Sequence, residues 1–228
     1  MSAITRKGQP DLSIVYAIHH ALTEDAGRLV AAIDDLAPED RVERLPNLLA
    51  FLTGYITELE SHHAHEDQVF FPALAARVGA ATMRLPQLDA QHHGLDEALA
   101  TLRAAVVALA DERTEFSSAR ARATDAAQSL RSRLTEHVDL EENESLSVYL
   151  TEFTASEHDA LAARAQTMDP YEKLFFMVPW LFDRLPVDVR TGALLGAPEV
   201  FRTVYAAHVD DYRRLASSLE PAYRTPAY

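Results

Sequence analysis

The chain has 228 residues, 48% of them hydrophobic and 25% charged, with a formal net charge of −14. That length buries a substantial core, and the negative charge argues against nucleic acid or an anionic membrane surface as a partner. The absence of cysteine excludes disulfides, thiolate-held zinc, iron–sulfur clusters and a cysteine nucleophile. Few glycines and abundant alanine bias the chain toward helix. No uninterrupted apolar window reaches the length of about 18 residues that a membrane span needs. The first residues lack the apolar stretch of a secretion signal, so a soluble, cytoplasmic protein is expected.

Four long segments with helical periodicity come first. The first covers about residues 11–36 and ends before Ala37-Pro38-Glu39-Asp40. The second covers about 46–78, with a kink expected at Pro72 and a stop at Gly79. The third covers about 82–111, with Pro86 in its first turns, where proline is tolerated. The fourth covers about 114–150. Short connections favour antiparallel neighbours, so the predicted fold is all-α: an up-down-up-down four-helix bundle over residues 1–152. Residues 153–228 read as a helical, aromatic-rich C-terminal extension packing on the outside or end of the bundle. It comprises an amphipathic piece (156–168), an aromatic stretch (170–182) holding the single tryptophan, a helix over about 199–219, and a frayed PAYRTPAY tail.

Eight of the ten histidines fall in four clusters, one per long segment: His19-His20, His62-His63-Ala64-His65, His92-His93 and His137. At about 100° per residue, His19 can reach the interior of the first segment and His20 faces out. His62 and Glu66 lie near the centre of the second apolar stripe, with His63 and His65 on its flanks. His92 faces inward on the third segment and His93 outward. His137 and Glu141 sit near the centre of the fourth stripe. Inward carboxylates are costly in a core unless a cation neutralises them, whereas imidazoles and carboxylates converging from four helices suit a metal pair. The predicted ligands are therefore His19, His62, Glu66, His92, His137 and Glu141. Two other HxxxE matches, His20/Glu24 and His93/Glu97, face outward and read as solvated pairs. His158 and His208 read as ordinary packing or surface histidines.

The order of these motifs, a histidine, HxxxE, a histidine and HxxxE, resembles the hemerythrin-like (HHE cation-binding) family. The resemblance is carried by IHHAL, SHHAHEDQVFFP, AQHHGLDEAL and LTEHVDLEEN and covers roughly residues 11–150, with an extension similar to those of actinobacterial members. It implies a four-helix bundle holding two iron ions, oxo- or hydroxo-bridged, that meet dioxygen, hydrogen peroxide or nitric oxide; manganese or zinc ranks behind iron. Oxygen carriers of the family take a further histidine at HxxxH spacing on the third helix, where this chain has Asp96. A four-histidine site favours catalase-like or oxidase-like peroxide turnover over reversible oxygen carriage, with no catalytic residue beyond the metal site. Tyr55, two turns before His62, is read as a core tyrosine, a hydrogen-bond donor behind the ligands, or the missing ligand. Asp96, Glu58 and Glu142 are further candidates for either supporting role. The alternative is a non-enzymatic oxygen, nitric oxide or redox sensor, or an iron-binding protein. The chain is expected to act as a monomer or homodimer. A ferritin-type oxidase is disfavoured because Glu60-x-x-His63 is its one matching motif.

Overall fold

The computed structural model describes residues 8–79 and 84–221; the expected start of the third segment near residue 82 and most of the C-terminal tail, residues 222–228, lie outside them. Every regular element among the described residues is helical. The helix α1 spans Ser13–Asp35, and α2 spans Arg44–His65, running through a π turn at Glu66–Phe70 into α3 (Phe71–Val78). After α4 (Leu85–Ala108) comes α5 (Phe116–Leu140), which runs through a second π turn at Glu141–Leu146 into α6 (Ser147–Glu152). These elements form the predicted hemerythrin-like helical bundle.

Each π turn has a local cause or compensation. Pro72 has no N–H, and its ring would meet the carbonyl of Gln68 in a regular α-helix. Widening the turn relieves that clash, and the Phe71 N–H donates instead to the Glu66 carbonyl, five residues back. The kink expected at Pro72 takes this form. The second π turn contains no proline; there the Ser147 hydroxyl donates to the carbonyls of Asn143 and Glu144 at 3.0 Å each. A serine bonding back in this way supplies donors to carbonyls that a distorted turn leaves short of them.

Two apolar clusters fill the bundle. The larger includes Leu22, Leu29, Ile33, Phe51, Leu59, Leu95 and Leu134, and the smaller includes Leu12, Phe71, Leu74, Leu88, Leu146 and Tyr149. Along every bundle helix the chain passes from one cluster to the other across a histidine: Leu12 to His19 to Leu22, Leu59 to His62 to Phe71, Leu88 to His92 to Leu95, and Leu134 to His137 to Leu146. Hydrophobic layers thus clamp a polar belt from both sides.

The extension comprises α7 (Ala155–Gln166), α8 (Leu174–Phe182), α9 (Val187–Gly196) and α10 (Glu199–Ala216). It lies against the side of the bundle: α8 touches both α1 and α2, and α10 packs on α2. Trp180 is fully buried, belongs to the larger cluster, and donates its indole N–H to buried Asp25 at 2.8 Å. Asp25 also accepts from Arg28 and Arg184. The Phe176 ring lies so close over Gly54 that a Cβ there would stand 2.4 Å from a ring carbon. The sequence reading had no helix at α9, because that helix buries no residue and carries no apolar stripe to detect.

Gly54→Ala is therefore expected to destabilise the fold, since overpacking costs about 1–3 kcal/mol and outweighs the helix-propensity gain of at most about 1 kcal/mol. Gly192→Ala, where an added Cβ meets nothing within 4 Å, should gain up to about 1 kcal/mol. Thermal melts of the two variants should move in opposite directions.

Candidate metal centre

Among the described residues two groups of side chains bring their ligand atoms within 4.8 Å of one another: His19, His62, Glu66 and Glu141, and His63, His92 and His137. The two glutamates join the groups. One oxygen of Glu66 lies 3.0 Å from His62 Nε2, and its other oxygen lies 3.4 Å from His92 Nε2. Glu141 Oε2 stands 3.3 Å from His19 Nε2 and 3.8 Å from His137 Nε2. The Nε2 atoms of His19 and His62 are 3.0 Å apart. In the second group the rings of His63 and His92 stack at 4.0 Å, and His137 meets both edge-on.

This belt is buried and short of partners. Glu66 Oε2, Glu141 Oε2, His92 Nε2 and both ring nitrogens of His63 and His137 are buried with no hydrogen-bond partner. Such groups are rare in a native interior and call for an explanation. Burial pushes His62 down to about 4 and His137 down to about 2, so both rings are neutral near pH 7 with lone pairs to offer. Burial also opposes ionisation of Glu66, but His62 and His92 outweigh it and hold this carboxyl well below its usual range. Glu141 moves the other way: burial, then the charge of Glu66, pushes it well up. Divalent or trivalent cations would meet the carboxylate oxygens and one nitrogen of each ring, so the residues fit metal binding.

Further carboxylates hold the rings from behind. His19 Nδ1 lies 2.9 Å from Glu142, and His92 Nδ1 lies 2.9 Å from Asp67. His63 Nδ1 approaches Asp96 at 3.9 Å. Burial disfavours charge on His92, but Asp67 and Glu66 outweigh it and lift the ring to about 9. Outer partners of this kind fix the tautomer and orientation of a ligating imidazole.

All six predicted ligands lie in the belt. His20 and His93 are exposed, and His65 pairs with Asp169 at 3.2 Å, outside it. His63 differs from the reading of it as a flanking residue: it is 3% exposed and inside the second group. A flank is not a surface in a bundle, because each helix meets two neighbours; His63 shares its row with buried Leu52 and Ile56 and stacks on a ring from α4. A fifth histidine is therefore present, supplied by α2. Tyr55 does not reach the belt. Its hydroxyl donates to the Leu22 carbonyl at 3.0 Å within the larger apolar cluster, where burial pushes its ionisation far up. Of the supporting candidates, Glu142 and Asp96 face ligand rings. Glu58 faces Lys173 at 3.4 Å, with its other oxygen buried and unpartnered. Asp67 went unread, although it follows Glu66 as Glu142 follows Glu141.

A cavity of about 610 Å³ opens beside the first group. His62, Glu66 and Glu141 line it, as do Glu58 and Lys173, whereas His19, His63, His92 and His137 do not. No helix among the described residues is long and apolar enough to cross a membrane.

A sequence model of the hemerythrin HHE cation-binding domain matches residues 11–148. No curated protein and no solved structure matches the chain.

Asp67→Asn and Glu142→Gln are each expected to weaken metal retention about 10–100-fold, while His20→Ala and His93→Ala leave it unchanged. Competition against a metal chelator measures both effects.

Proposed function

Residues 11–148 make the chain a member of the hemerythrin HHE cation-binding domain family, and on that premise we propose that it holds two iron ions and binds and turns over peroxide at its two-histidine half. Glu66 and Glu141 would bridge the pair, His63, His92 and His137 would hold one ion, and His19 and His62 the other. The observation that carries this reading is the asymmetry of the site. Three histidines crowd one half away from the cavity, while His62 of the two-histidine half lines it together with the two shared glutamates. A small oxygen-containing ligand arriving through the cavity therefore meets the less filled position. An iron pair supplies electron exchange with such a ligand when bound.

The fifth histidine changes the argument from ligand number. With His63 present, one filled and one open position also suit reversible dioxygen binding, which is the second reading. Turnover is favoured by the chain's own proton source. Glu58 lines the cavity one turn before His62, and burial raises its carboxyl to about 7. Lys173 holds one oxygen of Glu58 and leaves the other free. A carboxyl of that kind can pass a proton to a departing oxygen, a step that peroxide cleavage needs and simple carriage does not.

Iron-loaded protein is expected to release oxygen from hydrogen peroxide, and Glu66→Ala or Glu141→Ala should abolish the activity. The rate should fall as pH rises through about 7, where Glu58 loses its proton. Glu58→Gln should lower the rate about 100-fold, flatten that limb of the profile and leave iron content unchanged. Reversible dioxygen binding without peroxide consumption would replace this reading with the second.

A further inference from the structure

The cavity is far larger than dioxygen or peroxide requires. Its volume of about 610 Å³ is roughly twenty times a water molecule's share of liquid, about 30 Å³, whereas those ligands need about one or two such shares. It lies within the range of about 300–1,000 Å³ found for sites that take small organic ligands. Its wall is apolar, with Val15 and Ile18 from α1 and Phe70 from the first π turn facing Ala162, Met177 and Leu181 from the extension. The last three lie beyond the residues matched to the family, so the metal chemistry of the bundle gives this wall no role.

The polar groups of the cavity restrict the charge of an occupant. Carboxylates of Glu58, Glu66, Glu141 and Asp169 line it. The facing ammonium, Lys173, is already engaged at 2.8 Å with Ser61, 2.9 Å with Asp169 and 3.4 Å with Glu58. His65 is held by Asp169, and His158 by the Tyr149 hydroxyl. Lys173 is the one lysine or arginine among the lining residues, so an anionic head would find no free protein ammonium or guanidinium there. A hydroxyl head suits the site better, because it can accept the Glu58 proton or, when that carboxyl is ionised, donate to its buried, unpartnered Oε1.

We propose that this cavity binds an uncharged organic molecule with an alkyl or aryl body, whose hydroxyl-type head hydrogen-bonds to Glu58 and lies beside His62, Glu66 and Glu141. The body is desolvated by the apolar wall of α1 and the extension. Binding rests on the chain's own residues and holds whichever metal fills the belt.

Calorimetry of the full-length protein, metal-loaded and metal-free, with 1-octanol and with octanoate tests this. Octanol should bind both forms saturably at one site per chain with a negative heat-capacity change, and octanoate should bind the metal-free form, where no ion attracts its carboxylate, at least tenfold more weakly. Filling the cavity with Ala162→Trp should weaken octanol at least tenfold with metal content unchanged. Ala162→Leu, which adds less volume, should give a smaller loss and carries the comparison if the tryptophan variant does not fold. Octanol binding in protein that consumes no peroxide would uphold this inference while the peroxide reading fails. Absence of saturable octanol binding, equal binding of octanoate to the metal-free form, or indifference to the substitutions at Ala162 would overturn it.

Discussion

Two carboxylates and five imidazoles share one largely buried layer of the bundle, and their charges must be balanced there. Transferring an ion from water to a protein interior costs several kcal/mol even after relaxation. Without a cation the layer finds a partial remedy: Glu66 stays ionised between His62 and His92, while Glu141 is pushed toward its protonated form by burial and by the charge of Glu66. That arrangement still leaves oxygens of both glutamates and most of the second group's ring nitrogens unpartnered. On the proposed reading a bridged metal pair would partner the glutamate oxygens and one nitrogen of each ring, held between the apolar clusters on either side.

The layer is built twice with one exception. His92 of α4 leans on Asp67, the residue after Glu66 in the HxxxE of α2; His19 of α1 leans on Glu142, the residue after Glu141 in the HxxxE of α5. A π turn begins at each ligand-type glutamate, and such turns recur at functional sites. His63 breaks the repeat. It adds a third imidazole to one half only, so two nearly equivalent halves acquire different ligand numbers. Of the five histidines only His62, in the two-histidine half, lines the cavity, and on the proposed reading that would direct ligands to its side.

Much of this was legible in the sequence. Residues near the centre of an apolar stripe, such as His62, Glu66, His137 and Glu141, declare themselves because nothing else explains an ionisable group there. Angle alone failed for His63, since α2 is buried against α4 on one side and against α8 and α10 on another, and a single stripe centre does not describe a helix with two buried flanks. For Tyr55 angle left three readings open, and the structure agrees with the first, a core tyrosine. It shares a face with His62 but lies seven residues away, about 10 Å along the axis, and its hydroxyl is spent on Leu22. Asp67 could not be assigned without knowing that α2 and α4 are neighbours. The role of the extension was equally hidden, because Gly54 and Asp25 carry no sign that Phe176 and Trp180 will dock on them.

The extension adds Lys173, Ala162, Met177 and Leu181 to the lining of the cavity beside the polar layer. The proposed function depends on two ions seated unequally between Glu66 and Glu141. Anomalous diffraction at the iron edge, on crystals of protein from iron-replete cells, tests that directly. The account predicts two peaks, one ligated by His63, His92 and His137 and the other by His19 and His62, with the second facing the cavity. A single peak, or two peaks with His63 unligated, would contradict it.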